Sequence, residues 1–198
     1  MKTIRYYMAP QSPWTWLGHD RLVAMAERHG AQIDLRPADL NRVFPVSGGL
    51  PLAKRAPQRQ AYRLVELPRW SKFTGVPLNL HPKFFPVAGD AAARLIIAAT
   101  EAAGTESGLK TARALLRAVW VEERDIADPA TLTAIAGECG LDAAALDGVR
   151  DRAREIYDRN TQAAIEAQVF GVPWYEYHGE PFWGQDRLEL LERTLAEG

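Results

Sequence analysis

The sequence predicts an α/β fold in which one mixed sheet is assembled from the two ends of the chain and an all-helical domain is inserted between them. Three observations carry this expectation. β-forming residues alternate near both termini, a β-α-β pattern occupies the first ~40 residues, and the middle of the chain is alanine-rich with helical spacing.

Between Thr3 and Met8, Ile4, Tyr6 and Met8 alternate with Arg5 and Tyr7, which predicts a first strand. Ser12 followed by Pro13 then reads as an N-cap and first-turn pair, and Trp14, Gly18, Leu22, Met25 and Ala26 recur at helical spacing until Gly30. Gln32 to Arg36 alternates again through Ile33 and Leu35 and stops at Pro37, giving a second strand. From Asn41 to Val87 prolines and glycines, among them Pro45, Gly48, Pro57 and Pro68, predict loops with only short helices.

Helices are predicted over Ala91–Ala103, Ser107–Arg124, Pro129–Cys139 and Ala143–Val169. Asp90, Asp128 and Asp142 stand where caps belong, and Gly104, Gly140 and Gly171 where helices should stop. The tail reads as a strand over Trp174–His178, a turn at Gly179, a strand over Pro181–Trp183, and a helix over Gln185–Ala196. The expected division is a sheet domain from residues 1–40 and 170–198, with residues 41–169 forming a loop region and the helical insertion.

Twenty-four Lys and Arg against 25 Asp and Glu leave a net charge of -1, so bulk charge favours neither nucleic acid nor membrane as a partner. Charges interrupt every apolar run well short of the roughly 20 residues that span a bilayer. The single cysteine, Cys139, cannot form an internal disulfide, and no secretory pattern opens the chain, so a cytoplasmic protein is expected. Cys139 follows Leu132, Ile135 and Ala136 at helical spacing and reads as a buried small hydrophobe. The four histidines show no metal-ligand spacing, and no metal is expected.

On the residues alone, Ser12 is an ordinary helix cap and Val172-Pro173 an ordinary loop pair. Taken together, three separated segments say more: Ser12-Pro13-Trp14-Thr15-Trp16-Leu17-Gly18, Glu66-Leu67-Pro68-Arg69-Trp70, and Gly171-Val172-Pro173 with Phe182-Trp183-Gly184-Gln185-Asp186-Arg187. In this order they resemble the 2-hydroxychromene-2-carboxylate isomerases, relatives of the kappa-class glutathione transferases with a DsbA-type thioredoxin-like fold.

The resemblance implies that Ser12 and Thr15 stand where a thioredoxin-type motif carries its two cysteines, so the reacting sulfur must come from outside, as glutathione. It further implies that Ser12 donates a hydrogen bond to the glutathione thiolate as the catalytic group. Pro13 and Trp14, the backbone of Val172 before a cis Pro173, and Gln185 with Asp186 would then hold the tripeptide. An isolated thiol with pKa ~8.5 is only a few per cent ionised at neutral pH, so a helix N-terminus with one added hydroxyl donor suits this task.

The family usually carries a lysine and an asparagine after the second strand, where this chain has the loop Phe44 to Pro51 with neither residue. On the substrate side, Arg69 in the basic stretch Lys54 to Lys72, and Trp70 and Phe85 among the aromatics, are expected to receive an aromatic carboxylic acid. The expected activity is glutathione-dependent isomerisation in aromatic compound catabolism. The alternatives are a kappa-like glutathione transferase and a non-catalytic binding module. The expected partners are the small-molecule substrate and a second copy of the chain, with no nucleic acid and no membrane.

Overall fold

A computed structural model describes residues 1–198. The elements run β1 (Thr3–Met8), α1 (Pro13–Arg28), β2 (Gln32–Pro37), α2 (Leu40–Ser47), α3 (Pro57–Thr74), α4 (Asp90–Trp120), α5 (Pro129–Glu138), α6 (Ala143–Gly148), α7 (Arg150–Glu166), β3 (Trp174–Tyr177), β4 (Glu180–Trp183) and α8 (Leu188–Glu197), with short 3-10 turns at Leu52–Lys54 and Gln185–Arg187. This is a DsbA-like thioredoxin fold. No helix is long and apolar enough to cross a membrane.

The sheet has strand order β2-β1-β3-β4. β1 runs parallel to β2, with Tyr6 opposite Leu35, and antiparallel to β3, with Tyr6 opposite Tyr175; β3 and β4 form a hairpin with Tyr175 opposite Phe182. Period-2 alternation then assigns the two faces. Ile4, Tyr6, Met8, Tyr175 and Tyr177 enter the main core together with Trp16, Leu22, Ile96, Leu116, Leu188 and Leu191. Tyr7 and Trp174 point the other way and pack with Ala9, Ala38, Val43, Ala164, Val169 and Val172. The main core therefore takes residues from the sheet, from α1 and α8, and from the inserted α4 and α5 alike, and each large side chain buried in it contributes about 1.5–3 kcal/mol.

The strands, the start of α1 and the caps at Asp128 and Asp142 lie where the sequence puts them. Cys139 is buried in the main core. Five details differ. The region expected to be loops with short helices contains the 18-residue α3, which accepts Pro57 in its first turn and carries Pro68 in its interior. Only Leu67 of α3 is buried, so the kink and lost hydrogen bond at Pro68 fall on a solvated helix rather than in packed core. The segment expected as a loop from Phe44 is the end of α2 up to Ser47, closed by Gly48 at φ 73°.

Asp90 does not cap α4. It is the first residue of the helix after Gly89, and its Oδ1 accepts a hydrogen bond from the Tyr157 hydroxyl at 3.0 Å. Gly104 at φ 86° interrupts the helical backbone at the stop the sequence places there, whereas the single helix expected over Ala143–Val169 is divided at Val149 into α6 and α7. Finally, α7 ends at Glu166 and the left-handed residue after it is Gln168 at φ 57°, so Gly171 is not a helix stop.

His19 on α1 is 1% exposed. Its Nε2 lies 3.1 Å from the Leu109 carbonyl, which can only accept, so Nε2 carries the proton and Nδ1 accepts from the Tyr6 hydroxyl at 3.3 Å. Burial pushes its pKa down to about 4. In the unfolded chain the ring takes a proton near pH 6.5, whereas the folded protein refuses it until about 4, so unfolding takes up a proton in that window. Stability contributed by the neutral ring is therefore complete above pH 6.5 and falls as pH drops toward 4, by up to about 3 kcal/mol. Urea denaturation at pH 7 and pH 4.5 should show this loss in the wild type and a smaller one in His19→Gln.

Candidate active site at the start of helix α1

The turn from β1 into α1 is closed by the Ser12 N–H donating to the Ala9 carbonyl at 3.0 Å. Ser12 has extended backbone angles, as an N-cap must, and its Oγ accepts from the Thr15 N–H at 3.2 Å. Pro13 has no N–H, and the Trp16 N–H is taken by the Ser12 carbonyl at 3.0 Å. Two donors are left at the helix mouth: the Trp14 N–H and the Ser12 hydroxyl proton, neither of which meets an acceptor in the protein. Together with the positive end of the 16-residue helix they make a setting for an anion. The Thr15 hydroxyl is fully buried and has no partner.

The β1–β3 register puts Tyr7 opposite Trp174, which brings the residues just before β3 level with the β1–α1 turn. Val172 packs in one cluster with Ala9, and the Val172-Pro173 bond is cis. Neither the N–H nor the C=O of Val172 enters a backbone hydrogen bond, so both are available to an extended peptide. The Pro173 carbonyl accepts from the Gly184 N–H at 2.9 Å, which ties this loop to the turn carrying Gln185 and Asp186.

Gln185 is 2% exposed. Its Oε1 accepts from Arg21 Nη1 at 2.8 Å, and the same nitrogen reaches its main-chain carbonyl at 3.3 Å. Because arginine only donates, this contact fixes the oxygen toward Arg21 and leaves the amide NH2 as the free end. Asp186 is exposed, with its carboxylate 3.0 Å from Arg187 Nη1. Its Oδ1 lies over Gly184, which adopts φ 103°, so the backbone angle requires glycine there.

Ser12, Pro13, Trp14, Val172, Pro173, Gln185 and Asp186 thus share one end of the sheet, whereas the candidates expected on the substrate side fall into two groups. Arg69 pairs with Glu66 at 2.8 Å and the Trp70 indole donates to the other Glu66 oxygen at 3.2 Å. The Arg69 contact, ahead of the others, holds the Glu66 carboxyl below its ordinary range. Phe85 instead packs on Trp120, ring centroids 4.8 Å apart. Two further features were not read from the sequence. Arg21, one residue in a helix of ordinary composition, orients Gln185 across a separation that no local pattern reveals. Phe170 and Trp183 form an aromatic rim beside Val172, each edge-on to its neighbours, and Gly171 leaves room for the Trp183 indole. A cavity of about 560 Å³ between α1 and α4, lined by residues such as Val23 and Leu109, lies away from Ser12.

Fold and site together define a thioredoxin-type protein from which both exchange thiols are missing. The model of the DSBA-like thioredoxin domain matches residues 3–196. The chain is 32% identical to a 2-hydroxychromene-2-carboxylate isomerase of Pseudomonas putida, over 98% of this chain and 94% of the relative. It is 25% identical to human glutathione S-transferase kappa 1, over 99% of this chain and 92% of that one. A solved structure of a 2-hydroxychromene-2-carboxylate isomerase superposes with TM-score 0.82 at 28% identity, covering 98% of this chain and 95% of that one. The chain therefore belongs to the DSBA-like thioredoxin family and, within it, to the 2-hydroxychromene-2-carboxylate isomerase family, a family of isomerase enzymes.

α1 approaches the Gln185 turn at Gly18, where a Cβ would sit 2.8 Å from Gln185 Cβ and 3.0 Å from the Tyr175 hydroxyl. Both neighbours are held by backbone or core packing. Gly18→Ala should therefore destabilise the protein by about 1–3 kcal/mol despite alanine's better helix propensity, read as a lowered urea midpoint with an unchanged slope.

Proposed function

We propose that this protein is a glutathione-dependent isomerase of the 2-hydroxychromene-2-carboxylate type, acting on an aromatic carboxylic acid. The observation that carries the reading is the pair of uncommitted donors, the Ser12 hydroxyl and the Trp14 N–H, at a helix start with no thiol at position 12 or 15. Bound glutathione supplies a thiolate that adds to a conjugated double bond, allows rotation about the resulting single bond and leaves by elimination, so that the tripeptide ends unchanged.

The chain's own residues fit that ligand. Ser12 donates to the sulfur while its lone pair stays on Thr15, so capping and catalysis use different sides of one oxygen. Val172 offers N–H and C=O to the extended tripeptide. The Gln185 amide NH2, left free because Arg21 holds the oxygen, suits the γ-glutamyl carboxylate, and Asp186 suits its ammonium. If the helix start and Ser12 lower the thiol pKa by ~2 units, they supply ~2.7 kcal/mol of stabilisation to the ionised form. We place the protein in the cytoplasm and take a second copy of the chain as its partner.

The similarity to a kappa-class transferase supports one rival reading, in which the same thiolate forms a lasting conjugate. Mass spectrometry of the product separates them, since an isomerase returns glutathione and a transferase product carries it. The central claim is tested with Ser12→Ala and Ser12→Thr. Alanine should raise the pKa of bound glutathione by about 1 unit or more, seen as lost thiolate ultraviolet absorbance at pH 7, and lower kcat/KM about 10- to 100-fold. Threonine, which keeps the hydroxyl, should restore most of both. Isomerisation unaffected by Ser12→Ala would refute the role.

A further inference from the structure

One face of the molecule carries cations that nothing in the protein balances. Arg55, just before α3, and Arg59 and Arg63, in its first turns, stand four residues apart, and none of them makes an ion pair, whereas Arg69 further along the helix is neutralised by Glu66. Arg63 is the most confined of the three. Its guanidinium lies 5.1 Å from the Phe85 ring centroid and 5.7 Å from that of Trp120, a cation-π seat on two aromatic rings. Its Nη2 is buried without an acceptor. Burial, and secondarily the charge of Arg55, push its pKa down to about 10, so it still carries its charge at neutral pH.

A half-buried, permanently charged group with an unused donor is costly unless an anion completes it. The planar fork, fixed by the rings beneath it, matches a carboxylate better than a flexible ammonium would. The loop that supplies Phe85 also reaches the thiolate site: four residues further on, Gly89 leaves room for the side chain of Gln11, the residue before Ser12. A stretch of loop at most about 14 Å long thus joins the ring that seats Arg63 to the glycine that packs on Gln11.

We propose that Arg63, seated on Phe85 and Trp120 and supported by the field of Arg55, is the receptor for the substrate carboxylate, with Arg69 left to its structural pair with Glu66. This rests on the reading of the protein as an isomerase of an aromatic acid, but its test needs neither turnover nor glutathione. A carboxylate could also come from glutathione itself, and the experiment separates the two sources.

The probes are trans-cinnamate and its uncharged isostere trans-cinnamamide, titrated by tryptophan fluorescence, which Trp120 reports from beneath the site. The wild type should prefer cinnamate by at least about tenfold. Arg63→Met should reduce that preference to within about twofold, Arg63→Lys should keep part of it, and Arg69→Met should keep all of it. Glutathione affinity by calorimetry should be the same in Arg63→Met as in the wild type.

The assignment is overturned if the wild type does not distinguish the two probes or binds neither. It is also overturned if the preference survives in an Arg63→Met protein with native circular dichroism, or if that variant loses glutathione affinity instead. Should the methionine variant not fold, Arg63→Gln takes its place with the same expected loss. Failure of wild-type glutathione binding would count against the isomerase reading and leave the cinnamate comparison standing as a separate result.

Discussion

The pairing of β1 with β3 is the contact on which the rest depends. It joins Arg5 to Glu176 across 171 positions of sequence, and all the inserted helices lie inside the loop that it closes. The Arg5–Glu176 ion pair is partly exposed and contributes at most about 1 kcal/mol. The alternation of side chains does more. A slip of one residue would move Tyr6 and Tyr175 out of the main core and exchange them for Tyr7 and Trp174, so the hydrophobic pattern admits one register. That register also sets Val172 beside Ala9. The assembly of the site is thus a by-product of how two distant strands bury their faces.

The chemistry at the helix mouth follows from what the backbone leaves undone. A helix start has four N–H groups without intrahelical partners, and the Ala9 carbonyl, Pro13 and the Ser12 side chain account here for three of the four positions. What remains is one amide and one hydroxyl proton, both without an acceptor in the protein. In the function we propose, a serine in place of cysteine removes the nucleophile and adds a donor, which changes the task from exchanging a disulfide to holding another molecule's thiolate.

Much of this was legible in the sequence because it is local. The strand at Thr3–Met8, the Ser12-Pro13 helix start and the caps at Asp128 and Asp142 are each decided by neighbours a few residues away. α3 was not legible, because proline counts as a breaker only where packing enforces a straight helix, and α3 is largely solvated. Asp90 was misread since a distant hydroxyl, that of Tyr157, claims its carboxylate. Arg21 was passed over, and Arg63 was read only as one member of a basic stretch, for the same reason: an arginine in a helix looks alike whether it faces water, another ring or a site. Only the tertiary arrangement distinguishes them.

α3 buries only Leu67 fully, although it runs for 18 residues. Changes at its outward positions cost little stability, within about ±0.5 kcal/mol, while the helix-start chemistry sits on the rigid sheet and α1. The two halves of the site consequently differ in how freely they can vary. A lineage carrying this scaffold could change the surface that α3 presents by drifting along one loosely held helix, with the start of α1 left untouched.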